Sequence, residues 1–125
     1  MVKSPAFQMS LLFDFYGDLL TERQREFFDL YYNEDFSLAE IAENSGITRQ
    51  GVRDVIVRAQ GILTEFEEKT KIVQRFLEFQ PHVKAIEQAA QEIAEINRRT
   101  LGNRRLAELS EQILQSADAL AEREL

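Results

Sequence analysis

The sequence predicts an all-α protein, and three observations support that fold class. Apolar residues recur at intervals of three and four along almost the whole chain, which is the period of an amphipathic helix. No segment keeps the alternation of apolar and polar residues that is typical of a half-buried strand. The periodic segments are separated by short stretches that contain helix-capping residues or glycine. We therefore expect helices joined by short turns.

The first part of the chain predicts two helices. The first runs from about Ala6 to Leu19, and the second begins after Thr21, whose hydroxyl can accept a hydrogen bond from a free backbone N–H group. The aromatic run FFDLYY could stack on single-stranded RNA, but aromatic residues at helical spacing are more often core, and we interpret them so. The predicted packing residues are Leu12, Phe15, Tyr16 and Leu19 in the first helix and Phe27, Phe28, Leu30 and Tyr31 in the second.

The stretch SLAEIAENSGITRQGVRDVIVRAQGIL predicts two helices that cross at a tight turn. Ser37 with Glu40 three residues later is a capping-box arrangement, Gly46 ends the helix, and Thr48 caps the next one. The positions around the turn are small or apolar, as a steep helix crossing requires. They are Ile41, Ala42, Ile47, Val52 and Val55. This spacing is typical of a helix-turn-helix, whose second helix enters the major groove of DNA.

The rest of the chain predicts long helices. A heptad-like stripe continues from Ile56 to Leu77, Pro81 predicts a break after Gln80, and a turn at Leu101–Asn103 separates the last two helices. The stripes predict either a helical hairpin within one chain or an oligomerisation region, in which Asn97 would set the register. We expect a helix-turn-helix domain over residues 1–66 and a helical extension over residues 67–125.

Two resemblances follow from these residues. TERQREFFDLYYNEDFSLAEIAENSGITRQGVRDVIVRAQGIL, from Thr21 to Leu63, resembles region 4 of sigma-70-type factors. Over roughly the first 80 residues, the chain is more closely similar to the small bacterial YlxM-like helix-turn-helix proteins. That resemblance implies a bacterial cytoplasmic accessory protein, linked by gene neighbourhood to the signal recognition particle GTPase and a possible regulator of that pathway.

Both resemblances imply a recognition surface on the helix after Thr48. Arg49, Gln50 and Arg53 would read base edges, Val57 would lie on the same face, and Thr48 and Arg58 would contact phosphates. Three arginines and one aspartate lie between Thr48 and Arg58, so this segment carries a local charge of +2 (3 − 1). Asp54 on the same helix would repel phosphate unless it pairs with Arg53 or Arg58 or accepts a hydrogen bond from cytosine. We attribute Gly51 to a close approach of the support helix.

The run NRRTLGNRR is a second basic cluster, consisting of Arg98, Arg99, Arg104 and Arg105. It could bind phosphate groups of RNA or DNA as a second site. Arginines near helix ends are more often solvated, because positive charge suits the C-terminal end of a helix dipole. We keep both interpretations at this point.

The composition excludes several other functions. The chain has no cysteine, and its one histidine, His82, has no neighbouring ligand pair, so we expect no metal, no cofactor and no enzymatic activity. It has neither a signal peptide nor an apolar run long enough to cross a membrane, and we expect a cytoplasmic location.

Two functions remain open. The first is a nucleic-acid-binding regulator of DNA or of the particle's RNA, acting as a homo-oligomer. The second is a protein-interaction adaptor for the particle's GTPase or its receptor, which the net charge of −7 favours.

Overall fold

The computed structural model describes residues 5–121, and every regular element in that range is helical. The six α-helices are α1 (Pro5–Tyr16), α2 (Glu22–Tyr32), α3 (Leu38–Ser45), α4 (Arg49–Thr70), α5 (Ile72–Ile96) and α6 (Arg104–Ala121). A 3-10 turn at Gly17–Leu19 follows α1, and a π-helical turn at Asn97–Leu101 follows α5. The predicted all-α class, a helix-turn-helix followed by long helices, is confirmed.

The chain divides into two compact units, and the division lies between Val73 and Gln74. This is later than the boundary expected from the sequence after Phe66. The physical reason is that Val73, only 6% exposed, packs in the same core cluster as residues of α1 and α4. The assignment of separate roles to the two parts stays a prediction.

The three predicted N-caps are present. Thr21 Oγ1 accepts from Gln24 N at 3.2 Å, while the Gln24 side chain accepts from Thr21 N at 3.0 Å, so α2 begins with a full capping box. Ser37 and Glu40 exchange the same pair of bonds at 3.0 and 2.8 Å at the start of α3. These bonds satisfy backbone donors that have no partner inside the helix.

Two adjoining clusters form the core of the first unit. One cluster, which includes Leu12, Tyr16 and Leu63, joins α1 to α4, and the other, which includes Phe27, Ile41 and Val52, joins α2, α3 and α4. The expected burial of Leu19 and Tyr31 is wrong. The 3-10 turn rotates the chain so that Leu20 is buried and Leu19 is 48% exposed.

Within the aromatic pair of α2, the inward ring is Tyr32, not Tyr31. Tyr32 packs against Phe28 with ring centroids 4.6 Å apart and the rings tilted by 36°, and its hydroxyl accepts a hydrogen bond from the Gln60 amide. Tyr31 meets Tyr32 edge-on and is 36% exposed. The interpretation of the aromatic run as core therefore holds for most of its rings.

The predicted break at Pro81 is wrong, because α5 continues through that residue. The chain breaks earlier, at Lys71, which has a left-handed backbone with φ of 58°. Thr70 Oγ1 accepts from Ile72 N at 3.3 Å and Glu67 Oε1 accepts from Val73 N at 3.0 Å, so side chains of α4 satisfy the first donors of α5. Pro81 lies on an exposed side of α5. Proline has no backbone N–H, so the carbonyl group four residues earlier has no donor within the helix, and on this side it can face solvent.

The second unit is a helical hairpin made by α5, the π-helical turn and α6. Asn97 is buried at 4% exposure, and its side-chain amide bonds both the carbonyl and the N–H of Asn103, each at 2.9 Å. Gly102 takes the left-handed conformation that the turn requires. The amide of Asn97 is used within its own chain, as the hairpin alternative predicts, and a role in setting the register between copies stays a prediction.

Candidate nucleic-acid interface

The turn between α3 and α4 has the geometry that the sequence predicts. Gly46 has φ of 77°, a left-handed conformation that costs glycine little, and its N–H donates to Ala42 O at 2.9 Å. Thr48 then caps α4 by accepting from Gly51 N at 2.9 Å. A side-chain carbon at Gly51 would lie 3.2 Å from Thr48 Oγ1 and 3.4 Å from the Ile47 side chain. Glycine at this position thus relieves crowding by the turn, not by the support helix as expected.

The buried side of α4 fixes which of its residues face outward. Val52 and Ile56 are at most 3% exposed and pack with Phe27 and with Ile41 and Ala42 of α3. Ala59 and Leu63 extend this buried side into the neighbouring cluster. These residues cover one face of α4, and Arg53, Val57 and Arg58 on its other face are exposed.

Three arginines lie on this outward face without a protein partner. Arg49, Arg53 and Arg58 are exposed, and in the range 5–121 none of them makes an ion pair or a hydrogen bond. Val57 on the same face is 46% exposed. The positively charged side of this helix is therefore open to an anionic partner.

Gln50 and Asp54 are engaged with each other on the same helix. Gln50 Nε2 donates to Asp54 Oδ1 at 2.9 Å, one helical turn away. The amide thus occupies one carboxylate oxygen, while the negative charge of Asp54 remains on the surface. For Gln50 to pair with a base edge, this bond must be exchanged for a new one.

Sequence reasoning missed one arginine next to this surface. Arg23 lies in the first turn of α2, and together with Gln24, Asp54 and Arg58 it lines a shallow cleft between α2 and α4. The Arg23 guanidinium lies 5.4 Å from the centre of the buried Phe27 ring, and this cation–π contact fixes the position of the guanidinium. The available signal was its position two residues after the Thr21 cap, at the positive end of a helix.

The second basic cluster differs from the first in its pairing. Arg98 and Arg99 both bind Glu95, the latter with Nε 3.0 Å from Oε2. Arg104 and Arg105 both approach Glu108, at 4.0 and 3.3 Å. We call these four residues the turn arginines. Two carboxylates already offset half of their charge.

The described residues offer neither a metal-binding cluster nor a membrane-spanning helix. They contain no cluster of three or more histidine or acidic residues that could hold a metal ion. No helix among them combines the length and the apolar character needed to cross a membrane.

The chain is similar to proteins of several bacteria. It is 54% identical over 69 residues to a UPF0122 protein of Desulforamulus reducens, a match that covers 55% of this chain and 59% of that protein. It is 47% identical over 90 residues to one of Thermoanaerobacter sp. (strain X514), covering 72% of this chain and 77% of the relative. One of Bacillus cereus (strain AH187) is 44% identical over 90 residues, covering 72% and 82%.

The family that these relatives share also matches the chain directly. The match extends over residues 3–101 and therefore includes the helix-turn-helix, all of α5 and the π-helical turn, but not α6. With most of its length matched, the chain belongs to UPF0122, the family of helix-turn-helix proteins described as YlxM / p13 like.

Proposed function

We propose that the protein binds nucleic acid through α4, in the manner of region 4 of sigma-70-type factors. The recognition surface consists of Thr48, Arg49, Gln50, Arg53, Val57 and Arg58. Arg49, Gln50 and Arg53 would contact base edges, and Thr48 and Arg58 would contact phosphates. The observation that carries the proposal is that Arg49, Arg53 and Arg58 are exposed and unpaired beside an intact glycine turn.

The pairing of the arginines supports this surface over the other basic cluster. An unpaired guanidinium can bind a phosphate or a guanine without giving up a protein contact. The turn arginines must first release Glu95 or Glu108, or bring these carboxylates close to a polyanion. They remain the second candidate site, with a smaller expected contribution.

The cleft beside α2 adds to the same surface. Arg23 and Arg58 line it from two different helices, so a phosphate lying there would meet two cations and the N-terminal end of α2, opposed by the single carboxylate of Asp54. This placement would fix the backbone of a nucleic acid relative to Arg49 and Arg53. We assign Arg23 a positioning role and not a role in sequence readout.

Resemblance to YlxM-like proteins extends the proposal to a pathway. The nucleic acid would be either an operator DNA or the RNA of the signal recognition particle, and the protein would act in the bacterial cytoplasm as a non-enzymatic regulator of that pathway. A single helix-turn-helix has a small contact surface, so a homo-oligomer that presents more than one copy would bind more tightly.

The proposal is tested by the salt dependence of binding. Fluorescence anisotropy would be measured for a labelled random-sequence DNA duplex and for a labelled signal recognition particle RNA, with the parent and with Arg49→Ala/Arg53→Ala. Each phosphate contact contributes about 0.9 to the slope of log K against log salt on duplex DNA. A random-sequence duplex offers no specific base, so Arg49 and Arg53 would contact phosphates in that complex. We therefore expect the double variant to bind this duplex more weakly, with a slope shallower by about 1 to 2.

A matched control removes the same charge elsewhere. Arg98→Ala/Arg99→Ala deletes two arginines that are already paired with Glu95, and we expect it to change the slope by less than half as much. A larger loss in this variant would move the site to the turn. Absence of salt-dependent binding to both probes by the folded parent would refute the proposed function.

An adaptor function is the second candidate, and Asp54 favours it. Its carboxylate lies on the recognition surface, and the chain as a whole carries a net charge of −7. In this case the helix-turn-helix is a scaffold, and the protein contacts the particle's GTPase or its receptor. The same variants decide the matter, because an adaptor would bind that protein with unchanged affinity after Arg49→Ala/Arg53→Ala and would bind neither nucleic acid.

A further inference from the structure

The hairpin of the second unit has an open apolar face. Large apolar side chains on both of its helices are between 36% and 60% exposed. They are Phe79, Ile86, Ile93 and Ile96 on α5 and Leu109, Ile113 and Leu120 on α6. We refer to these seven residues as the hairpin face. Scattered exposed apolar residues are ordinary, but a contiguous set of this size marks an interaction surface.

The residue spacing places both helices' contributions on one side of the hairpin. The seam between the helices contains Val83 and Ala90 on α5 and Ser110 and Ala117 on α6, all of them buried. On each helix the hairpin face follows the seam at an interval of three residues. The pairs are Val83 and Ile86, Ala90 and Ile93, Ser110 and Ile113, and Ala117 and Leu120.

When two helices are antiparallel, residues that lie at the same angle from the seam on each helix face the same side of the hairpin. The structure agrees, because Val83 and Ile86 of α5 line one groove with Ile113, Ala117 and Leu120 of α6. The hairpin face is therefore continuous across the two helices.

Charged and polar residues lie on the other side of the seam. The positions directly after seam residues are Lys84 and Gln91 on α5 and Glu111 and Asp118 on α6, and all four are exposed. No charged residue lines the groove, although 30% of the chain is charged. The separation of apolar and charged sides is what one half of a four-helix bundle requires.

We propose that the hairpin face binds a second copy of this chain, so that two hairpins form a four-helix bundle. An uncharged face offers nothing to a charged partner but matches an identical uncharged face, as a two-fold interface requires. Seven half-exposed large side chains amount to several hundred Å² per copy, which approaches the roughly 800 Å² per partner of a stable interface. This proposal rests on the proposed function in one respect: that function includes a homo-oligomer, and the hairpin face would be the surface through which its copies meet.

The test is the mass of the full chain in solution without nucleic acid. Sedimentation equilibrium should give twice the chain mass of 14.5 kDa for the parent. In Ile93→Glu, each copy would bury an unpaired carboxylate at the interface, and we expect the dimer dissociation constant to rise at least about 100-fold. Gln91→Glu adds the same charge to the polar side of α5 and should leave the dimer intact.

Circular dichroism of both variants shows whether they remain helical. Ile93 is 45% exposed in the single chain and lies outside the buried seam, so we expect both variants to keep their helix content. As a second readout that does not require a destabilising charge, cysteine is placed singly at Ile86, Leu109 and Ile113. The position nearest the two-fold axis should form an intermolecular disulfide under mild oxidation, while Gln91→Cys should form none. The chain has no native cysteine to interfere.

A monomeric parent would overturn the proposal and leave the hairpin face to another protein. A dimer equally insensitive to Ile93→Glu and Gln91→Glu would overturn it too, because the copies would then meet elsewhere. Neither result bears on Arg49 and Arg53, so the failure of this proposal is distinguishable from the failure of nucleic-acid binding.

Discussion

The phenol of Tyr16 in α1 donates a hydrogen bond of 2.7 Å to the carboxylate of Glu67 near the end of α4. The same carboxylate accepts from Val73 N, and the Tyr16 oxygen lies 2.5 Å from Thr70 Oγ1. The first helix of the chain therefore stabilises the junction at which α4 ends and α5 begins. Burial is the first cause of the raised pKa of Tyr16, so its hydroxyl keeps its proton and remains a donor.

Replacing Tyr16 with phenylalanine should destabilise the first unit. The change removes a hydrogen bond to a charged group and leaves Glu67 without that donor, so we expect a loss of about 1.5 to 3 kcal/mol in the free energy of unfolding. Urea denaturation followed by circular dichroism measures it. Tyr31→Phe removes the same atom from an exposed ring and should change the value by less than about 0.5 kcal/mol. Equal effects of the two substitutions would contradict the role of Tyr16.

Acidification should weaken the start of α3. The backbone N–H of Ser37, followed by its side chain, holds the pKa of Glu40 below its ordinary value of 4.5. A lowered pKa in the folded state means that the stabilisation is present above the ordinary value and is lost as the pH falls through the folded value. An NMR titration of the Glu40 carboxyl gives the direction directly.

Glu40→Gln provides the comparison for that titration. The glutamine keeps an acceptor for Ser37 N but does not titrate, so the stability difference between parent and variant should shrink at low pH. A constant difference from neutral pH to below pH 4, or a Glu40 pKa at or above its ordinary value, would contradict the capping argument.

Substitution of Pro81 by alanine should stabilise the protein. Proline in the interior of a helix is about 3 kcal/mol less favourable than alanine, and the gain is offset by up to about 1 kcal/mol because the unfolded chain becomes freer. We expect a net increase of about 2 kcal/mol in the free energy of unfolding, measured by urea denaturation at a fixed protein concentration. His82→Ala, at the next exposed position, should have a small effect. No gain from Pro81→Ala would indicate a helix boundary at that position.

Loss of the Asn97 side chain should open the turn of the hairpin. Asn97→Ala removes both bonds to Asn103 and leaves that backbone N–H and carbonyl without these partners. We expect a loss of about 1 to 3 kcal/mol in the free energy of unfolding. Gln91→Ala, which truncates an exposed amide on the same helix, serves as the control in the same denaturation experiment. A similar loss in both variants would show that the amide of Asn97 has no special role.

Helix starts could be predicted from the sequence, but one helix end could not. Ser37 with Glu40, and Gly46, act within a few residues, so the local pattern specifies them. The end of α4 at Lys71 depends instead on Tyr16, whose hydroxyl contacts Glu67 and Thr70 from more than 50 positions away. A lysine in a left-handed conformation has no local signature, whereas Pro81 gives a strong local signal that the surrounding helix overrides.

The candidate site could be predicted in its position but not in its pairing. Helical periodicity alone placed Arg49, Arg53 and Arg58 opposite the buried Val52 and Ile56. The spacing of charges did not reveal which arginines form ion pairs, because side-chain geometry determines the pairing. Arg98 and its neighbour share one glutamate, whereas the arginines on the outward face of α4 pair with no carboxylate in the described part of the chain. Arg23 was missed because it joins the site from another helix.

The open arginines of α4 lie on a chain that is otherwise strongly acidic. Residues 48–58 carry +2, from three arginines and one aspartate, whereas the whole chain carries −7. A polyanion that approaches almost any other surface is repelled, so electrostatic steering would favour a single orientation of encounter. Such a protein would associate faster with its target at low ionic strength, yet its affinity for non-specific nucleic acid would stay low. Specificity would then depend on the charge of the whole surface and not only on the side chains that face the groove.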